Sequence, residues 1–421
     1  MLGMAFLMSA FLSARGSAQD EFPWKTHPPI VEIRKELYRE HPRPGVAALV
    51  SMSYVGSGLE RREIHAVEYR DDVPDEPMVR FSTDDGRSWS EFEPLPPTLS
   101  YPKGTEVWEG GGAHRFDPRS GVLVGTWLRQ INLSGLYNCF TYWRLSRDFG
   151  RTWSPPKRFK YEAGEDFDPE NPLKPEFLLR DQGYFGSNIL AHRNGTLIHC
   201  LAHANAPGDP ENDKRAWRMG SLCLIGRWNP QAEDYDWTPG KRVEISPAVS
   251  SRGLMEPELA ELSDGRVLVI WRGSNTETTP GRKWYSLSED GGLTLSEPRE
   301  LLYDDGTRFF SPSSYHRMIR HGRTGNLYWI GNISEVPPQG NWPRYPLVIA
   351  EVEESLPALR KSTVTAIDDR RPEQTDQVQF SNFSLLEDRE TGDLELYLTT
   401  YGQVPESVWT ADCFKYTLRL R

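Results

Sequence analysis

The stretch Ser82-Thr83-Asp84-Asp85-Gly86-Arg87-Ser88-Trp89 returns as Ser146-Arg147-Asp148-Phe149-Gly150-Arg151-Thr152-Trp153. It returns once more as Ser288-Glu289-Asp290-Gly291-Gly292-Leu293-Thr294-Leu295, with Leu in the Trp place. An apolar, strand-like run precedes each copy, and Ser follows each. The pattern reads as a hairpin turn. Asp bonds nearby backbone N–H groups, Gly takes a positive φ, and Trp packs beneath the turn.

The spacing extends the reading. The first two copies lie 64 residues apart, and the second and third lie 142 apart, twice 71. A degenerate copy is therefore expected near position 217, where Ser221 to Trp228 and Asp236-Trp237 supply a strand, a longer turn and a Trp. The same step predicts strands over Pro346–Glu351 and Phe414–Leu420. Paired strand-like runs split by Asp-Gly or Gly turns fill the intervals, with no helical period. Such repetition indicates an all-β, six-bladed propeller of four-stranded antiparallel blades. Residues 30–40 are expected to complete the last blade, and the Pro-rich acidic segment 161–182 to form a loop between blades. Length alone favours two or three domains, but the repeat predicts one propeller over residues 19–421.

Composition agrees. Gly (35) and Pro (33) are abundant, as turns require, and 14 Trp argue against disorder. The net charge of −11 excludes a nucleic-acid surface, which needs a basic stripe. Leu2–Leu12 is apolar but too short to span a bilayer. The small residues Gly16–Ala18 follow it. Residues 1–18 are thus read as a secretory signal, although no Lys or Arg precedes the apolar run. A secreted or periplasmic monomer with no membrane span is expected. Of Cys139, Cys200, Cys223 and Cys413, only Cys200–Cys223 is a reasonable disulfide, and buried thiols are an equal reading. No metal site and no cofactor are expected.

The repeated turn is an Asp box, and with six blades the chain resembles the sialidase (neuraminidase) superfamily. Three stretches carry the resemblance further. Met255-Glu256-Pro257-Glu258 through Trp271-Arg272 places Glu256 and Arg272 sixteen residues apart across a strand–turn–strand. The resemblance makes Glu256 the acid that polarises a catalytic tyrosine, with Glu258 competing, and makes Arg272 one of three arginines clamping a substrate carboxylate. Gly331-Asn332 followed by Arg344 is similar to the stretch that supplies a second clamp residue. His41-Pro42-Arg43-Pro44 is similar to the stretch that supplies the third, Arg43. Three guanidinium forks would select an acidic sugar, since each binds a carboxylate at two points and cannot lose its charge.

One position departs from the family. The catalytic tyrosine would align with Phe380, which has no oxygen to attack a sugar carbon. Either Tyr397 or Tyr401 takes its place, or water attacks with Glu256 as base and inversion follows, or the pair Tyr315-His316 carries the chemistry, which would also suit β-elimination of a uronic acid. The resemblance places the acid in the loop Arg70–Glu76, at Asp71, Asp72 or Asp75. The glycines of Trp108–Arg115 and Gly183–Ile189 would let a ligand approach the centre, and His114 would line it. The expected function is a secreted sialidase-like exo-glycoside hydrolase acting on an acidic oligosaccharide or polysaccharide. A hydrolase or lyase on uronic-acid polysaccharide and a non-catalytic glycan-binding propeller are the rivals.

Overall fold

The computed structural model describes residues 22–69, 77–95, 106–133, 136–206 and 220–421. The leader expected at 1–18, and Asp71, Asp72 and Asp75, lie outside these residues.

Six antiparallel sheets form a ring. Blade one comprises Val46–Tyr54, Arg61–Tyr69, Met78–Ser82 and Glu93–Pro94; blade two comprises Glu106–Asp117, Val122–Leu133, Leu136–Ser146 and Lys157–Arg158. Blade three comprises Tyr184–Ala191, Leu197–Ala204, Gly220–Asn229 and Asp234–Pro239; blade four comprises Met255–Glu261, Val267–Arg272, Lys283–Ser288 and Arg299–Glu300. Blade five comprises Arg317–Arg320, Leu327–Asn332, Leu347–Glu353 and Ala358–Leu359, with Thr365–Asp368 added against its third strand. Blade six comprises Phe383–Glu387, Leu394–Thr399 and Cys413–Leu420, and Val31–Arg39 supplies its outer strand. The chain's first described strand thereby closes the ring on its last. Segment 161–182 is a loop interrupted by the single turn of helix Pro175–Leu178.

All three predicted turns form. In the second, Gly150 N donates to Ser146 Oγ (2.7 Å), Thr152 N to Asp148 Oδ1 (2.9 Å) and Trp153 Nε1 to Gly150 O (3.1 Å). The first repeats this at Ser82, Asp84, Gly86 and Trp89, and the third at Ser288, Asp290 and Gly292. Each turn needs two left-handed residues in succession: Asp85-Gly86, Phe149-Gly150 and Gly291-Gly292. The degenerate copy is a plain hairpin between Gly220–Asn229 and Asp234–Pro239, with Trp237 opposite Gly226.

Apolar side chains fill the wedges between blades. Blades four and five enclose Leu268, Ile270, Trp329 and Val348, and blades five and six enclose Ile330, Leu347, Leu396 and Leu398. Cys200 and Cys223 face each other across neighbouring strands, as the runs around them implied, and both are buried free thiols. No described helix is long and apolar enough to cross a membrane.

Candidate active site

Antiparallel order divides the ring into two faces. The Asp-box turns, which join third to fourth strands, lie on one face. The starts of the innermost strands and the ends of the second strands lie on the other. A central cavity of about 1420 Å³ runs between them, lined mainly by the innermost strands.

Glu256 sits at the start of blade four's innermost strand. Met255 pairs with Arg272 and Glu258 with Ile270, so Glu256 and Pro257 together oppose Trp271. Pro257 has no N–H to give the ladder, and the bulge turns Glu256 into the left-handed region (φ +45°). Such backbone is costly for a non-glycine residue and concentrates at functional sites. The bulge aims the carboxylate into the cavity. Arg272 Nη1 donates to its Oε1 at 2.5 Å, whereas Oε2 is buried with no partner.

Register brings further cations to this level. Lys283 is paired with Arg272 on the next strand and is fully buried, donating to Ser314 O (2.6 Å). Arg344 donates from Nη1 to Gln379 Oε1 (2.8 Å) and Ser381 Oγ (3.3 Å), and from Nη2 to Ser313 O (2.9 Å). Burial alone would raise the Glu256 pKa, but Arg272, Lys283 and Arg344 outweigh it and hold the carboxyl below its ordinary range. Burial, then Arg272, pulls Arg344 down to about 10. Burial likewise pushes Lys283 well below its usual value, with Arg272 adding to it.

The structure thus brings Glu256, Arg272 and Arg344 together. Arg43 lies at the same face, in the loop ahead of Val46, and is not among the principal charges acting on Glu256. Neither is Arg252, but the site's charges act on it: burial and then Arg272 depress its pKa, with Glu256 opposing them, and it acts on Arg344 in turn. Glu258 does not share the site. It is fully buried, accepting from Arg317 Nε (2.9 Å) and Met318 N (3.2 Å) across the junction of blades four and five.

The candidate tyrosines separate. Phe380 is only 1% exposed and packs in the apolar wedge of blades five and six. Its backbone N donates to Arg344 O (3.0 Å). It therefore faces away from the cavity, and the polar side chains flanking it, Gln379 and Ser381, are those that hold Arg344. Tyr397 lies in the wedge of blades six and one, beside Tyr38, away from Glu256. Tyr401 is buried against Trp409 and Ala411, bridges Gln379 and is among the groups that act on Arg344. Tyr315 lines the cavity, edge-on to Phe383, and its hydroxyl accepts from Arg317 Nη1 (3.3 Å). Burial raises its pKa and keeps the phenol protonated. His316 points the other way, fully buried, with Nε2 3.2 Å from Ile270 O. Tyr315 and His316 thus do not form a catalytic pair.

Arg252, Lys283, Tyr184 and His203 escaped the sequence reading. Lys283 was recoverable in principle from the register of blade four. Tyr184 and His203 stand at equivalent strand ends of blade three, and burial followed by Arg252 lowers the His203 pKa to about 4, so its ring is neutral at pH 7. Among the described residues, no group of three or more His, Cys, Asp or Glu is placed to hold a metal ion.

The sequence matches no family model and no curated protein. Solved structures do match. A point mutant of NanB sialidase from Streptococcus pneumoniae superposes with a TM-score of 0.56 at 11% identity, over 91% of this chain and 70% of that one. The Hadza microbial sialidase Hz136 gives 0.52 at 13%, over 89% and 66%. The Penicillium chrysogenum alpha-L-arabinanase, complexed with arabinobiose, gives 0.51 at 14%, over 93% and 99%. The chain therefore spans about two thirds of the sialidases' length and nearly all of the arabinanase's, and what it shares with all three is the propeller fold.

Proposed function

We propose that this chain is a glycoside hydrolase that binds the carboxylate-bearing end of a glycan at the cavity mouth. One observation carries the reading: a partly buried Glu256 that meets Arg272 through one oxygen and leaves the other unpartnered, set among more cations than it neutralises. Glu256 balances one positive charge. Arg272, Arg344 and Arg252 leave the mouth electropositive, in a chain of net charge −11. A substrate carboxylate is the ligand such a surplus suits. The propeller neighbours include a sialidase and an arabinanase, which supports hydrolysis of a glycosidic bond.

In this mechanism Glu256 takes the proton of the attacking oxygen, and an acid protonates the departing glycosidic oxygen as its bond to the sugar breaks. Asp72 or Asp75 of the loop 70–76 is proposed as that acid, with Asp71 the alternative. Water attack gives inversion. Attack by the hydroxyl of Tyr315, one of the phenols that line the cavity, gives retention through a covalent intermediate. The orientation of His316 disfavours elimination by a Tyr–His pair. The leader expected at residues 1–18 would export the enzyme.

A panel of fluorogenic α-sialosides and uronides tests the proposal. Turnover of an acidic glycoside by the wild type, falling at least ~100-fold in Glu256→Gln with unchanged circular dichroism, is expected. Binding without turnover by the wild type would leave a lectin instead, and an absorbance from unsaturated uronate would reveal a lyase. NMR of the first-formed anomer separates water from Tyr315.

A further inference from the structure

A second cluster of cations lies towards the Asp-box face, between blades one and two. Arg61 and Arg62 are consecutive on one strand and point to opposite sides. Arg61 meets three carboxylates, Asp85, Asp388 and Glu395. Arg62 meets none. Its guanidinium lies over Trp153 (5.8 Å from the ring centre), and Nη2 is 3.5 Å from His114 Nδ1. Arg144, from blade two, is sandwiched between Trp153 (4.3 Å) and Trp127 (4.2 Å), and among the described residues no carboxylate pairs with it either. The Nε atoms of both arginines are sealed from solvent without a partner, although each side chain as a whole is only half-buried.

The surroundings are built to admit something. Gly111 and His114 line the central cavity. A Cβ on Gly111 would stand 3.4 Å from Arg144 Nη2, so the guanidinium edge lies directly behind the glycine wall of that cavity. Arginines also cross the junctions of blades six and one and of blades four and five, but there Arg61 and Arg317 meet carboxylates, whereas here the guanidinium groups lie on an indole with none among the described residues. Burial pulls both arginines down to about 10, with Arg62 adding to the effect on Arg144, and His114 is held neutral by burial, then by Arg62, Arg317 and Arg144. Two like charges on one indole, half-buried and without a carboxylate among the described residues, are unfavourable unless an anion joins them.

We propose that Arg62 and Arg144, with Gly111 and His114 as the wall, form a binding site for a tetrahedral oxyanion, remote from the Glu256 mouth. Forked N–H donors match the edges of sulfate or phosphate. Either the free ion or a sulfate ester on a sugar presents that chemistry. The site does not depend on the hydrolase reading.

Equilibrium dialysis of the purified full chain against labelled inorganic sulfate tests it, at ionic strength held constant with sodium chloride. One saturable sulfate per chain is expected. Affinity should fall at least ~10-fold in Arg144→Gln and in Arg62→Gln, and stay unchanged in Arg147→Gln, an exposed arginine paired with Glu233. Sulfate at a hundred-fold excess over Kd should also raise Tm by about 3 °C in the wild type alone. Should either glutamine variant unfold, Arg144→Lys keeps the charge but loses the fork, and weakened binding by that folded variant supports the site. N-acetylglucosamine 6-sulfate distinguishes the sources. Tighter binding than inorganic sulfate points to a sulfated glycan, and weaker binding points to the free ion. No saturable binding of either compound, or equal binding by wild type and Arg144→Gln, overturns the proposal.

Discussion

Glu256 is a carboxylate whose charge is maintained against burial by its neighbours, and that has consequences for pH. Because its pKa in the folded chain is depressed, Glu256 adds stability above the unfolded value, and that stability disappears as pH falls through the lower folded value. Activity that needs the carboxylate should therefore persist below pH ~4.3, the ordinary glutamate value. Removing Arg272 leaves burial as the dominant influence. The acid limb of kcat in Arg272→Ala should then move upward by ~1–2 pH units, read from a pH–rate profile. Arg344→Ala and Arg252→Ala should each raise KM ~10-fold or more for an acidic glycoside, with kcat less affected. Phe380→Tyr makes the opposite kind of test. A hydroxyl there enters an apolar wedge, so turnover should not rise and Tm should fall.

At the scale of elements, the Asp-box turn shows what short motifs encode. Its hydrogen bonds are all local, within eight residues, so the motif is legible without knowing the fold. In the second copy, burial would raise the Asp148 pKa, but bonds from the Thr152 side chain and backbone lower it on balance. Asp148→Ala removes these bonds and should cost about 2 kcal/mol, seen as a few degrees in Tm, without altering turnover, since the turn lies on the face opposite Glu256. The bulge at Glu256-Pro257 is a different kind of element. The Pro in the strand hinted at an irregularity, but the register shift that aims Glu256 inward emerges only when Met255 and Glu258 are both paired with the neighbouring strand.

For the molecule as a whole, the ring is closed by a long-range pairing. Val31–Arg39 lies against Cys413–Leu420 along nearly its full length. Deleting residues 22–39 exposes an unpaired edge on blade six and removes Val31 from the wedge it shares with Phe380 and Leu418. The truncated chain should aggregate or lose its cooperative melting transition, checked by size-exclusion chromatography and calorimetry.

The sequence by itself determined the fold class, the blade count and the closing strand. Those follow from turns and apolar alternation, which are local and recur. It also singled out Glu256, Arg272 and Arg344, whose spacing follows from one strand–turn–strand and from one approach to an outer strand. Only the tertiary structure decided the rest. That Phe380 is core, that His316 turns inward beside a cavity-facing Tyr315, and that Arg252 and Lys283 join the site all depend on which side of a strand faces the axis and on which blades meet. A side chain's charge partners come from strands distant in sequence. Arg61 with three carboxylates and Arg62 with none among the described residues are neighbours in the chain, and only the closed ring separates their surroundings.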